Sequence, residues 1–193
     1  MMRPKHLVLA ALALAIVQIG FLSWIILARA AVLRDGREIL LKVEPVDPRD
    51  LLRGDYVRLG YEISRIPVGM VADMPADGTV AAGNIHVRLR READGYWGAA
   101  SAKLGGAPEQ PAGAEEVDLR GRVAPAWNLG PDATLSVDYG MERFYLPEGE
   151  GRPIERDMNV RSFGIVAAVG ADGTPQIKAL MDGETKLFEE PLY

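Results

Sequence analysis

The sequence predicts a mainly β protein: a single N-terminal transmembrane helix, then an antiparallel β barrel or sandwich-like domain with a short helix. Three observations carry this. From Leu7 to Ala28 no side chain is charged. Beyond it, Gly and Pro punctuate residues 29–193 densely. Between those breaks, apolar and polar residues alternate with the period of two that turns one face of a strand inward.

The run Leu7–Ala28 reads LVLAALALAIVQIGFLSWIILA, with Gln18 and Ser23 its clearly polar side chains. At the helical rise it makes roughly 33 Å, enough for a hydrocarbon core of about 30 Å. A core helix would carry a polar stripe, and this one is apolar all round. Trp24 suits the membrane interface. Ala28-Arg29-Ala30 also fits the small-residue pattern of a signal cleavage site, but the apolar stretch exceeds the roughly 7–15 residues of a signal core. Residues 7–28 are therefore read as an anchor, 1–6 as a cytoplasmic tail and 29–193 as an extracytoplasmic domain, periplasmic in a Gram-negative cell. Arg3 and Lys5 on one side nearly balance Arg29, Arg34 and Arg37 on the other. Direction thus rests on the shortness of the tail, because large domains cross largely regardless of charge.

About 165 residues remain, the size of one domain. The chain has 22 basic and 27 acidic residues; setting aside Arg3 and Lys5 leaves 20 against 27. An acidic domain without a basic stripe argues against nucleic acid. No cysteine is present, which excludes disulfides, thiolate metal sites and a Cys nucleophile. Nucleotide-binding glycine signatures are absent as well. No cofactor is implied.

In order along the domain, Ile39–Val43 reads as a first strand. In Asp55–Ile63, residues Asp55, Val57, Leu59, Tyr61 and Ile63 share one face. Ile85, Val87 and Leu89 oppose His86, Arg88 and Arg90 in the next strand, and Ala93–Gly95 turns it into Tyr96–Leu104. Gly105–Ala114 reads as a mobile surface loop. Val117, Leu119, Gly121 and Val123 form one inner row, and Ala133, Leu135, Val137 and Tyr139 another. Arg152–Met158 fits one or two helical turns, with Pro153 tolerated in the first. Phe163–Val169, a turn at Gly170–Gly173 and Gln176–Met181 make the clearest hairpin. About eight short strands at this spacing suggest a barrel or sandwich.

The most distinctive stretch is Val46–Pro67, in which Gly54, Asp55, Tyr56, Leu59 and Tyr61 spell G-D-Y-x-x-L-x-Y. With Pro45–Asp50, Arg143–Gly149, Glu155 and the closing segment Ala168–Gly183, this resembles the bacterial GDYXXLXY family over nearly the whole domain. The resemblance implies an N-terminal helix and, as partner, a multi-pass membrane protein; it implies no established activity.

The residues themselves allow three readings of the motif. Pro48–Gly54 forms a turn in which Asp50 caps and Gly54 takes a positive φ, and Asp55 then heads an apolar row, needing partners such as turn amides or Arg143. On this reading the motif is a turn-and-strand staple, with Leu59 and Tyr61 in the core and the Tyr61 hydroxyl at its rim. Alternatively Arg53, Asp55 and Tyr56 form a ligand or partner site. Thirdly, Asp55 with Glu148 or Glu155 forms a carboxylate pair for hydrolysis. Arg53-Gly54-Asp55 also spells an adhesion tripeptide, but its Asp opens a strand. His86 reads as an exposed strand histidine, too isolated for zinc or a Ser–His relay. The leading functional reading is a non-enzymatic accessory protein tethered to the bilayer. A module for a small ligand or envelope glycan, using Tyr56, Tyr96, Trp97, Trp127 and Tyr145, is the alternative.

Overall fold

The computed structural model describes residues 4–44, 56–145 and 163–190. Helix α1 runs without interruption from Pro4 to Asp35. Its side chains are exposed from Leu7 to Arg29, and Ala30–Leu33 are partly or fully covered before Arg34 and Asp35 return to solvent. It is long and apolar enough to cross a membrane. It also extends about two turns past Ala28, the end expected from the apolar run, because Leu33 is a further apolar residue that finds cover at 1% exposure.

The chain passes straight from α1 into β1 (Arg37–Glu44) through Gly36, whose N–H donates to the Val32 carbonyl at 2.9 Å. A Cβ on Gly36 would lie 2.4 Å from the Val32 carbonyl oxygen and 3.0 Å from that of Val169. Only glycine permits helix, strand and neighbouring strand to meet this closely.

The other strands are β2 (Tyr56–Arg58), β3 (Gly60–Tyr61), β4 (Arg65–Pro67), β5 (Gly83–Arg91), β6 (Trp97–Leu104) and β7 (Glu116–Val123). They continue with β8 (Thr134–Asp138), β9 (Arg143–Tyr145), β10 (Phe163–Val169), β11 (Pro175–Asp182) and β12 (Thr185–Glu189). They build two five-stranded antiparallel sheets, β12-β11-β10-β1-β3 and β4-β8-β7-β5-β6, with β2 and β9 as a separate ribbon. The arrangement is sandwich-like rather than a closed barrel.

One apolar cluster joins the inner faces, with Ile39, Leu41, Ile165 and Ala167 from the first sheet and Ile85, Val87, Leu89 and Leu119 from the second. On β10 the alternate residue Ala168 is buried too, outside that cluster. The end of α1 packs on β10 and β11, and Tyr96 lies against the second face at Gly164.

The mainly β class, the inner rows of β5, β7 and β8, and the β10–β11 hairpin follow the sequence reading. Other expectations need correction. Asp55–Ile63 is not one strand: Leu59 lies between β2 and β3, its N–H donating to the Glu142 carbonyl at 2.9 Å, and Glu62–Ser64 is a 3-10 turn. The described residues hold twelve strands rather than about eight: Asp55–Ile63 divides into β2 and β3, and β4, β9 and β12 lie outside the sequence reading, the first two being only three residues long. The expected helical turn at Arg152–Met158 lies outside the described residues.

Candidate functional site

Polar side chains gather in two regions, one at each end of β1. At the far end from α1, Val43 and Glu44 pair with Tyr61 and Gly60. This corner carries the described part of the G-D-Y-x-x-L-x-Y motif. Leu59 is buried and Tyr61 is 1% exposed. The Tyr61 hydroxyl is not at the rim: it donates to the Met141 carbonyl at 2.6 Å inside the core. Tyr139 returns the contact, its hydroxyl donating to the Ile63 carbonyl at 2.8 Å. Two tyrosines thus exchange hydrogen bonds between the motif segment and the 139–142 turn. Burial, and then the nearby Glu142 charge, push both phenols above their ordinary range. Both hydroxyls are held as donors to backbone carbonyls.

Tyr56 pairs with Tyr145 and Arg58 with Arg143 across β2 and β9. Arg143 is exposed. Arg53, Gly54, Asp55, Glu148 and Glu155 lie outside the described residues, as do the Pro48–Gly54 turn and the glycine-flanked glutamates of 147–151.

Glu142 sits behind this corner and accepts the Tyr139 N–H at 2.6 Å. Its carboxyl titrates above the ordinary range, chiefly through burial and further through Asp138. A folded-state value raised above the unfolded one means that folding takes up a proton. The corresponding stability is present below the ordinary carboxylate range and is lost as pH rises through the raised value. Glu142→Gln, whose amide oxygen can still accept the Tyr139 N–H, is therefore expected to be more stable than wild type at neutral pH. The advantage should vanish near pH 4, a comparison readily made by thermal melts at both pH values.

At the near end of β1 a cleft of about 740 Å³ opens between α1, the β10–β11 turn, the Pro-rich 107–112 segment and β5–β7. The turn is fixed by Gly173, whose carbonyl accepts the Arg120 N–H at 2.8 Å. Gly173 has φ +80°, and a Cβ there would come within 2.8 Å of the Asp118 carbonyl.

Sheet register sets the charges along one side. Arg88 lies opposite Asp118 and Arg90 opposite Glu116. Arg88 grips Asp118 through two bonds, Nε to Oδ1 at 2.7 Å and Nη2 to Oδ2 at 2.8 Å. Arg90 Nη2 meets Glu116 Oε1 at 2.6 Å. That bond and the Gly113 N–H hold the Glu116 carboxyl below its ordinary range. Hydrogen bonds from Thr174 do the same for Asp172, helped by Arg120 at 3.2 Å. Arg88 Nη2 also donates to the Gln110 carbonyl, and Arg37 donates to the carbonyls of Ala114 and Glu116 while lying 5.0 Å from the Trp97 ring centre. The 105–114 segment, expected to be mobile, is thus tied to the sheets at Gln110 and Ala114.

Asp118→Ala removes both of the carboxylate bonds of a largely covered guanidinium, leaving it the Gln110 carbonyl and the more distant Glu116, and is expected to cost about 1.5–3 kcal/mol, the range for hydrogen bonds to charged groups. Urea denaturation of the full chain measures this.

His86 also lines this cleft and corrects the sequence reading: it is 8% exposed, not a surface histidine. The proline segment and the β10–β11 turn share its cleft and shield the polar face of β5. Its Nδ1 has no hydrogen-bond partner among the described residues. The sequence carried one signal for the site, the opposed patterns Arg88-x-Arg90 and Glu116-x-Asp118. It carried none for the cover. Of the aromatic residues expected to line a pocket, Trp97 is buried beneath Arg37 and Trp127 is 68% exposed. Neither these nor Tyr96 borders the cleft.

No curated protein and no solved structure matches the chain. The family model described as GDYXXLXY protein matches residues 18–180, from within α1 to near the end of β11. The motif that gives that family its name is the one whose leucine and second tyrosine form the buried corner at Leu59 and Tyr61, and the chain belongs to the GDYXXLXY family.

Proposed function

We propose that the protein is a membrane-anchored, non-enzymatic accessory protein acting through protein contacts. In this reading α1 crosses the bilayer once through residues 7–28, with residues 1–6 in the cytoplasm. The domain then lies outside the cytoplasm, in the periplasm of a Gram-negative cell, beside a multi-pass membrane protein.

The observation that carries the reading is α1 itself. Its apolar side chains are exposed along the whole stretch that precedes the domain. Exposed apolar surface on that scale calls for lipid or a partner helix. A Cβ on Gly20 would meet nothing within 4 Å, so that face is free to receive a neighbour.

Because the chain has no cysteine, Asp94→Cys in the β5–β6 turn gives a single reporter. Labelling by a membrane-impermeant maleimide in intact cells is expected, and protection until lysis would reverse the orientation. Gentle detergent extraction is expected to recover a multi-pass protein with the wild type and less of it with Gly20→Leu, at equal domain melting temperature. A clean monomer under the same extraction overturns the accessory role.

A further inference from the structure

We propose that the Gln18 face of α1 receives a transmembrane helix of another protein. That helix brings a hydrogen-bonding side chain to the depth of Gln18 and ends at the bilayer surface beneath the domain. The inference rests on the anchoring proposed above and names which face of the anchor meets the partner.

Gln18 is the one amide side chain between Leu7 and Ala28, eleven residues after the first and ten before the second. Each edge of the hydrocarbon layer is therefore roughly 15 Å away. A glutamine side chain is too short to cover that distance. Its amide carries two donors and an acceptor, and lipid tails satisfy neither kind. It stands exposed on the helix surface, so its partners come from outside this chain. The other polar residue of the span, Ser23, can return its hydroxyl to a carbonyl of the preceding turn and needs no neighbour. Polar side chains at such depth almost always face another helix. Ala15 and Ala11, three and seven residues earlier, continue the face and let that helix approach closely.

Helical phase then decides what kind of helix fits. Gln18 and Arg29 are eleven residues apart, which is three turns and about 20°. Arg29 reaches Glu190 of the domain at 3.3 Å. Val32 and Leu33 fall about 40° to one side of Gln18 and about 60° to the other. Leu33 is 1% exposed, and a Cβ on Gly170 would lie 3.1 Å from Val32. The domain thus docks on the side of α1 that carries Gln18 and overhangs that face at the membrane surface. A second copy does not fit there. Packed about a two-fold axis at the usual 8–10 Å, each helix would bring its own domain into the space the other domain fills. The occupant is a helix without such a continuation, as the spans of a multi-pass protein joined by short loops are.

The test uses the full chain in the membranes of the cells that make it, with Leu22→p-benzoylphenylalanine placing a photo-crosslinker one turn beyond Gln18 on the same face. Irradiation is expected to join α1 to a transmembrane segment of another protein. The attached peptide should carry Asn, Gln, Ser, Thr or His within one turn of the crosslink. Gln18→Leu should lower the yield at least about threefold, what one interhelical hydrogen bond of average strength supplies. Gln18→Asn should keep most of it, and the domain melting temperature should not move in either variant. An adduct of two copies, an attachment to lipid alone, an attached segment without a polar side chain, or an undiminished yield in Gln18→Leu overturns the proposal. A multi-pass protein recovered equally with wild type and Gln18→Leu overturns this face and leaves the accessory role standing. Recovery of none overturns both.

Discussion

Tyr61→Ala is expected to lower the melting temperature of the domain by about 10 °C or more. Removing a fully buried aromatic ring costs about 3–5 kcal/mol in cavity and transfer terms. The Met141 carbonyl, which accepts the hydroxyl at 2.6 Å, is left without that partner, for about 1–3 kcal/mol more. For a domain of this size each kcal/mol moves the midpoint roughly 2–4 °C. A total stability of about 5–15 kcal/mol leaves little after such a loss. Tyr61→Phe keeps the ring and isolates the hydrogen bond, so it should lose about 1–3 kcal/mol. Tyr139→Phe breaks the reciprocal bond to Ile63 and should behave similarly. Because the two bonds brace the same pair of segments, the double variant is expected to fall short of the sum. A Tyr61→Ala protein that melts like wild type would show that the motif's tyrosine is kept for something other than the core.

The second large effect is expected at the junction of anchor and domain. Gly36→Val places a Cβ 2.4 Å from the Val32 carbonyl oxygen and within 3.1 Å of the Val169 backbone nitrogen. Backbone atoms on both sides have no rotamer to swing away, so helix and strand must separate. About 1–3 kcal/mol is expected from overpacking. The more telling readout is geometric: spin labels at Ala11→Cys and Asp94→Cys should give a broader distance distribution than in the parent. Gly69→Val is the matched control, since nothing lies within 4 Å of a Cβ there, and it should stay within about 0.5 kcal/mol of wild type. An unchanged distance distribution in Gly36→Val would mean that α1 is not held by this contact.

Strands whose alternation runs for five residues or more were legible in the sequence: β5, β7 and β8 show their inner rows as written, because one face meets the apolar core and the other carries polar side chains. β10 resists that reading. Phe163–Val169 is buried on both faces apart from Val166, and its second side is covered by parts distant in sequence, Tyr96 against Gly164 and the end of α1 further along. The motif was legible in part. Leu59 and Tyr61 read as core, but the direction of the tyrosine hydroxyl depends on a turn eighty residues away, and no local pattern encodes that. His86 fails for the same reason. Its cover comes from segments near residues 110 and 172, so alternation places it on the polar face without revealing that the face is roofed.

The seamless passage from α1 into β1 makes the number of residues between membrane and domain a setting of angle as well as height. A helix advances roughly 100° and 1.5 Å per residue. One alanine inserted between Ala28 and Leu33 would turn the domain by more than a quarter revolution about the membrane normal and raise it hardly at all. Four inserted residues would nearly restore its facing while lifting it by about 6 Å. In the accessory role proposed above, the surface offered to a membrane partner is aimed by helical phase, and length variants in this segment separate a need for heading from a need for reach.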